Sequence, residues 1–299
     1  MSLAVERPAI ATSGLPMTGA ARRIASLGGW LGSLVTLAVA IVLLFSIFGF
    51  VLIHGLPALR PSVFTTVTSG VSGGLLNAIL GTLLLVAGGL VIVVVLGVGT
   101  GVWLAEYAGR KSGALVRFLA DVLAGVPSIV IGYFGYVLFV VSLGWGFSLA
   151  AGAIALALIM LPYVIRGTDL ALGTVPRQLR EAGFALGARS RTVLFSISFP
   201  YALPGMLTGL LLATSIALGE TAPLIYTAGW SNYLPTLAPT HSPVGYLTYV
   251  VWSFISQPFE ASHQLAYAAA TILIVFIFLV NIAARSALDG VVRRMRING

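Results

Sequence analysis

Six stretches of the chain are almost uninterrupted apolar residues: Leu27 to Ile53, Leu75 to Tyr107, Phe118 to Leu143, Phe147 to Ile165, Tyr201 to Ala228 and Leu265 to Ala284. None alternates polar with apolar residues as a membrane β-strand does. A bilayer core about 30 Å thick takes roughly 20 apolar residues in a helix to cross. Lipid offers the backbone no hydrogen-bond partner, so each run must satisfy its own N–H and C=O groups and is predicted to be helical. The expected fold class is an all-α integral membrane protein with six transmembrane helices. The first run follows Arg22 and Arg23, as in a signal peptide, but it is about twice the length of such a core, so residues 27–54 are expected to stay as the first transmembrane helix.

Composition agrees with this reading. Hydrophobic residues make up 59% of the 299 and charged residues only 8%, against roughly a quarter in soluble domains. The net charge of +8 raises the question of a nucleic-acid partner, and its placement answers it. With the N terminus cytoplasmic, Arg7, Arg22 and Arg23 lie inside, followed by Arg110, Lys111 and Arg117, then Arg166, Arg177, Arg180, Arg189 and Arg191, and finally Arg285, Arg293, Arg294 and Arg296. Of the 16 basic residues only Arg60 falls outside. This asymmetry orients the chain with both termini cytoplasmic. It assigns the basic residues to the membrane surface and its lipid, and excludes nucleic acid. Residues 1–26 then form a cytoplasmic N-terminal tail and residues 286–299 a basic cytoplasmic tail. The long outer segment from Gly229 to His263 holds Trp230, Tyr233, Tyr246, Tyr249 and Trp252, and its apolar part, Val244 to Ile255, is too short to cross; a short interfacial or re-entrant element is expected.

Several chemistries have no residues to carry them. There is no cysteine, and His54, His241 and His263 fall in no metal-ligand spacing. No G-x-x-x-x-G-K-[ST] occurs, so no phosphate-cradling loop is present and any ATP is bound by another chain. No cofactor is expected. Gly97, Gly99 and Gly101 lie inside an apolar run, where glycines four apart, like Gly205 and Gly209, let a second helix approach. A membrane enzyme would need convergent nucleophiles or bases, and the span interiors hold little beyond Glu220 and Asp121.

The loop between the fourth and fifth runs is far longer than a helix connection requires. A helix is predicted from just after Pro176, with an apolar side of Leu179, Ala182, Phe184, Ala185 and Leu186, ended by Gly187. A second short helix from about Ser190 leads through Ile197 to Pro200. The residues Glu181-Ala182-Gly183, Gly187, Ile197 and Phe199-Pro200 resemble, in their spacing, the EAA loop of ABC-importer permeases, with Gly183 in place of the second alanine and Phe199 in place of leucine. The resemblance implies a coupling helix that docks on a separate ATPase, with residues 176–200 as the coupling loop and Glu181, Ala182, Gly183, Gly187, Ile197 and Pro200 as its positions.

Four further strings sharpen the likeness: Gly73-Gly-Leu-Leu-Asn77-Ala-Ile-Leu-Gly81-Thr82, Gly125-Val-Pro127-Ser128-Ile-Val-Ile-Gly132, Leu161-Pro162-Tyr-Val-Ile-Arg166-Gly-Thr168-Asp169 and Gly219-Glu220-Thr221-Ala-Pro223. With the loop, they are similar to the PstA-type permease of the phosphate ABC importer. The resemblance implies a type I ABC importer permease fold over residues 70–285, in the plasma (inner) membrane of a bacterium or archaeon. It also implies alternating-access import of phosphate, and three partners: a PstC-type permease, a PstB-type ATPase dimer and a PstS-type phosphate-binding protein. The chain would itself be no enzyme. Another oxyanion, molybdate or sulphate, is the alternative cargo, and a secondary transporter is the alternative class; no internal repeat supports the latter.

The candidate substrate-pathway residues are Asn77, Ser128, Arg166, Asp169, Glu220 and Thr221. Glu220 is an acid in an apolar run and needs a cavity or partner. Either it pairs with a basic residue of a partner or a gate, or it forms a buried hydrogen bond that fixes a helix break before Pro223. Pro127 should kink the third span and place the Ser128 hydroxyl where an oxyanion could pass, or simply kink it. Asn77 and Thr82 can donate to phosphate oxygens, or Asn77 can cap its helix. Arg166 and Asp169 are three apart and Arg117 and Asp121 four apart, so each couple is expected to pair within its own helix. In the resembled family an arginine and an acid at 166 and 169 are associated with phosphate movement. Some relatives also carry an arginine one turn before the Gly-Glu-Thr string, where this chain has Ile216.

Overall fold

In the computed structural model, residues 19–297 are described, and they are almost entirely helical. Residues 1–18 of the expected N-terminal tail lie outside them. Chain contacts divide the protein into two units, residues 1–50 and 51–299. The first is one helix, α1 (Gly19–Gly55), which begins before the expected tail ends and is apolar and exposed over residues 26–47. Its lack of any polar face suits a helix solvated by lipid rather than water.

The second unit holds four more helices long and apolar enough to cross a membrane, plus one bent pair. After a short helix α2 (Pro61–Thr65) and a two-stranded hairpin, β1 (Thr68–Ser69) with β2 (Ser72–Gly73), the chain enters α3 (Leu76–Val93). A π-turn at Val94–Val98 joins it to α4 (Gly99–Glu106), the two counting as one span from Leu76 to Glu106. The pair consists of α5 (Arg110–Gly125) and α6 (Ser128–Gly135), the latter prolonged through Ser142 by a second π-turn. The expected third span is therefore bent far more than a proline kink: the helices meet at 96°. Val126 and Pro127 take extended backbone angles, ψ 128° and 133°, and break the helix outright. This is the geometry favoured before and at proline, whose ring blocks continuation and whose nitrogen cannot donate.

Helix α7 (Leu149–Gly173) is the axis of the unit, packing on α3, α4, α5 and α10. It extends eight residues beyond Ile165, where the apolar run stops, so that Arg166 and Asp169 stand on its inner turns rather than past its end. Small residues explain its close neighbours. A methyl at Gly101 would lie 2.5 Å from Thr168 Cβ, one at Gly97 3.0 Å from Val164 Cγ1, and one at Gly209 3.0 Å from Gly167 Cα. Gly97 and Gly101, and the Gly205/Gly209 pair, thus serve helix approach, whereas Gly99 has nothing within 4 Å.

Helix α8 (Arg177–Ala185) precedes a continuous rod formed by α9 (Ser190–Val193), a π-turn at Leu194–Ser198 and α10 (Phe199–Gly219). The fifth span therefore starts at Ser190 instead of Tyr201, and it stops at Gly219. A short α11 (Ala222–Thr227) follows. The outer segment contains α12 (Leu247–Phe254), which does not lie on the surface: Val244, Tyr246, Leu247 and Val250 are fully buried, and α12 packs on α3 and on the last helix, α13 (Glu260–Ile297). The expected basic tail after residue 286 continues as helix to Ile297.

Candidate functional site

Two regions gather most of the residues singled out by the sequence, the loop at 176–200 and a seam where two helices break; Asn77, Arg166 and Asp169 lie outside both.

In the loop, α8 begins directly after Pro176, whose fixed φ suits the entry to a first turn. It ends in a Schellman arrangement: Ala188 N–H donates to Gly183 O at 3.1 Å, Gly187 N–H to Phe184 O at 2.9 Å, and Gly187 sits at φ 79°. The inward face of α8 is formed by Gly183 and Arg180 and not by its apolar side. Gly183 is buried against Val193 and Ile197, where a methyl would come 2.7 Å from Ile197 Cδ1. Arg180, one turn earlier on that face, reaches Leu172 O at 2.8 Å and Glu106 Oε1 at 2.8 Å. Leu179, Ala182, Phe184 and Leu186 instead point outward with Glu181, and Leu186 is 89% exposed. A helix locked to the protein on one side and presenting apolar side chains on the other is built to receive a partner.

The seam joins the α5/α6 break to the α10/α11 break. Glu220 is the residue at which α10 stops, with ψ 132°, and Thr248 donates its hydroxyl to the Glu220 carbonyl at 2.7 Å. The side chain of Ser128, the first residue of α6, lies beside the half-buried Glu220 carboxylate. The helices leading away from the seam lie close: a methyl at Gly132 would be 2.5 Å from Pro223 Cα, and one at Gly135 2.8 Å from Thr227 Cγ2. Thr221 is partly exposed beside Glu220. Ser128, Glu220 and Thr221, distant in sequence, thus form one site.

Arg166 and Asp169 stand apart from that seam, and their pairing corrects the sequence reading. Arg117 holds Asp169 through Nε at 2.7 Å and Nη2 at 2.9 Å, while Arg166 holds Asp121 through Nε at 2.9 Å and a second, shorter contact from Nη2. Neither couple forms within its own helix; the partners are exchanged between α5 and α7. Packing of Ala120 and Ile165 in one apolar cluster brings the two helices close enough for this crossing, which satisfies both arginine forks. Asp169 is buried whereas Asp121 is exposed.

Asn77 lies away from both regions. It is fully buried, accepts from Thr68 N–H and Oγ1 at 3.0 Å each, and donates to Ser231 O at 2.8 Å. It caps no helix; instead it ties the hairpin to the outer segment. Thr82 does the same for α12, accepting from Leu247 N–H at 2.9 Å. Sequence reasoning missed Glu106, Arg180 and Thr248. The only available signal was that Glu106 is one of eight acids in the chain, placed at the end of an apolar run.

With this geometry in view, comparison with known proteins is informative. The family model for binding-protein-dependent transport system inner membrane components matches residues 97–297. Phosphate transport system permease protein PstA 2 of Mycobacterium bovis is 43% identical over 265 residues, covering 88% of each chain. Phosphate transport system permease protein PstA of Xylella fastidiosa is 40% identical over 237 residues, 78% of this chain and 82% of that one. Among solved structures, an inward-facing MetNI methionine ABC transporter superposes with a TM-score of 0.60 at 20% identity, covering 73% of this chain and 95% of its own. At that identity it speaks for the fold alone, which is that of a type I ABC importer permease.

Proposed function

The chain belongs to the family of binding-protein-dependent transport system inner membrane components, and on that premise we propose that it is the PstA-type permease subunit of an ATP-driven phosphate importer. The observation that carries the reading is the likeness to phosphate permeases, 43% identical along 88% of the chain. Two of the four span strings that resemble them, Gly125 to Gly132 and Gly219 to Pro223, meet at the Ser128/Glu220 seam. No feature favours molybdate or sulphate.

In this reading the arginine-rich side faces the cytoplasm, as do both termini. The outward apolar face of α8, with Leu179, Phe184 and Leu186, docks on a PstB-type ATPase dimer. Gly187 stops that helix sharply, and the rod from Ser190 to Gly219 carries movement of the loop straight into the membrane, because no flexible linker intervenes. A PstC-type permease completes the pore. A PstS-type protein delivers phosphate to the outer face, where Tyr233 and Leu237 are exposed on the loop before α12. Phosphate passes the seam, and Ser128 and Thr221 offer it hydroxyl donors. An ionised Glu220 would repel the anion, so its apposition to Ser128 acts as a closed gate that must part as phosphate passes. Arg166 is held by the exposed Asp121 in a fork geometry that a phosphate could also satisfy.

The test is uptake of radiolabelled phosphate into vesicles carrying the full complex, in competition with sulphate and molybdate. Phosphate should saturate the uptake, and neither competitor should displace it. Saturation by sulphate instead would overturn the assignment.

A further inference from the structure

Arg180 touches three elements at once. It rises from α8, its Nη2 donates to Leu172 O in the last turn of α7 at 2.8 Å, and its Nη1 lies 2.8 Å from Glu106 Oε1 at the last residue of α4. Both side chains are largely withdrawn from water, 23% exposed for Arg180 and 16% for Glu106. A guanidinium over a helix C-terminus meets the unpaired carbonyls and negative end of that helix, so the contact with α7 is favourable in its own right.

The contact with Glu106 is a charge contact off the hydrogen-bond line. Glu106 Oε1 and Arg180 Nε are both buried and neither has a hydrogen-bond partner. Buried polar atoms left in that state are costly, and an arginine fork is normally used in full. Arg180 therefore ties α8 to the ends of α4 and α7 at once, so that α8 cannot shift without disturbing both contacts.

The end of α4 has a second arginine. Arg117, on α5, donates Nη2 to Leu104 O at 3.3 Å while it grips Asp169. A continuous set of polar contacts thus runs from α8 through the end of α4 to α5, and α5 stops at the Pro127 break. The covalent route runs from α8 through α9 into α10, which stops at Glu220. The two routes end at the breaks beside Ser128 and Glu220, where α6 and α11 lie close, a methyl at Gly132 coming 2.5 Å from Pro223 Cα.

We propose that Arg180 is a positioning residue for coupling: through Glu106 and Leu172 O it passes displacement of α8 to α4, α5 and α7, so that both sides of the Ser128/Glu220 seam move together. This rests on the reading of α8 as the ATPase-docking helix. Were Arg180 merely a structural tie, its loss would lower uptake and ATP hydrolysis alike; as a coupling residue, it should separate them.

The experiment measures phosphate accumulated per ATP hydrolysed in proteoliposomes carrying the complete complex, with the amount of co-purifying ATPase as control. Arg180→Gln and Glu106→Gln are each expected to lower the ratio about fivefold while ATPase recovery stays at the wild-type level. The double variant should do no worse than the more severe single one, because the residues act as a pair. Arg180→Lys retains the charge but cannot span Glu106 and Leu172 O together; it is expected to assemble and lose two- to threefold, which keeps the proposal testable if Arg180→Gln fails to fold. An unchanged ratio in Arg180→Lys and Glu106→Gln, or a parallel fall of uptake and hydrolysis, overturns the proposal alone. A wild-type complex that hydrolyses ATP without accumulating phosphate, or that retains no ATPase, overturns the transport reading and the proposal with it.

Discussion

Arg117 grips Asp169 by two hydrogen bonds across 52 residues of chain, although Asp121 stands one turn further along its own helix. Arg166 completes the exchange by taking Asp121. The two acids differ in burial, and this sets the worth of each pair. Asp169 is 8% exposed, so water cannot readily take over the bonds it accepts from Arg117; Asp121 is 56% exposed and water can replace its partner. Asp169→Asn should cost about 2 kcal/mol, and Asp121→Asn less than about 1 kcal/mol. Thermal unfolding of the detergent-solubilised protein measures both, and equal shifts would contradict the assigned burial.

Gly187 has open space around it, so only its backbone angle of φ 79° restricts what can replace it. An L-residue in that region pays roughly 1–2 kcal/mol, and asparagine pays least. Gly187→Asn should retain most phosphate uptake, whereas Gly187→Val should abolish it and weaken retention of the ATPase. Equal activity of the two would show that the helix stop is not what the glycine supplies.

Much of this was legible in the sequence because it rests on local rules. Apolar run length, the placement of 15 of the 16 basic residues, and the Pro176 to Gly187 boundaries of α8 each depend on a few neighbouring residues. What was not legible depends on which elements meet. Helix periodicity correctly allows Arg166 to face Asp169, and nothing in the sequence says that α5 brings a competing acid and arginine to the same place. The turned-out apolar side of α8 has the same origin. The five apolar residues gave the helix an apolar side but not the direction it faces; the structure turns Gly183 and Arg180 inward, because a glycine admits α9 closely and the arginine has a carboxylate and a helix end to meet.

Gly183 stands where the EAA pattern has alanine, and the structure shows how that difference is accommodated. The atom that an added methyl would meet is Ile197 Cδ1 at 2.7 Å, the far end of a flexible side chain. Gly183→Ala should therefore be tolerated, with uptake within about twofold of wild type, and Ile197→Val should remove any residual deficit. Gly183→Leu should separate α8 from the rod and stop uptake. A severe loss in Gly183→Ala that Ile197→Val does not relieve would refute this packing.

Gly132 offers a contrast, since its neighbour is backbone. A methyl there would lie 2.5 Å from Pro223 Cα and 3.1 Å from Pro223 O, neither of which can rotate away. At Gly125, seven residues earlier, nothing lies within 4 Å. Gly132→Ala should destabilise the protein by about 1–3 kcal/mol through overpacking, with Gly125→Ala close to neutral. Thermal unfolding of the two variants side by side gives the comparison, and similar stability would mean α6 and α11 are not in close contact.

The seam itself is best tested as a pair. Thr248 holds the Glu220 carbonyl whatever the charge of the side chain, so Glu220→Gln should keep the helix break and the fold. Its carboxylate lies beside the Ser128 hydroxyl, and where the two bond, a glutamine oxygen can still accept, though more weakly than a charged one. Ser128→Ala removes the donor altogether. If the hydrogen bond is what each residue contributes to gating, the two changes overlap, and the double variant should transport phosphate no worse than Ser128→Ala alone. Expressed as a cycle, the coupling should be about 1 kcal/mol, a roughly fivefold departure from multiplied effects. Initial uptake rates of the four proteins decide it. Simple multiplication would mean that Glu220 and Ser128 act separately, with the carboxylate serving some other cation, and the closed-gate role assigned to their contact would fall.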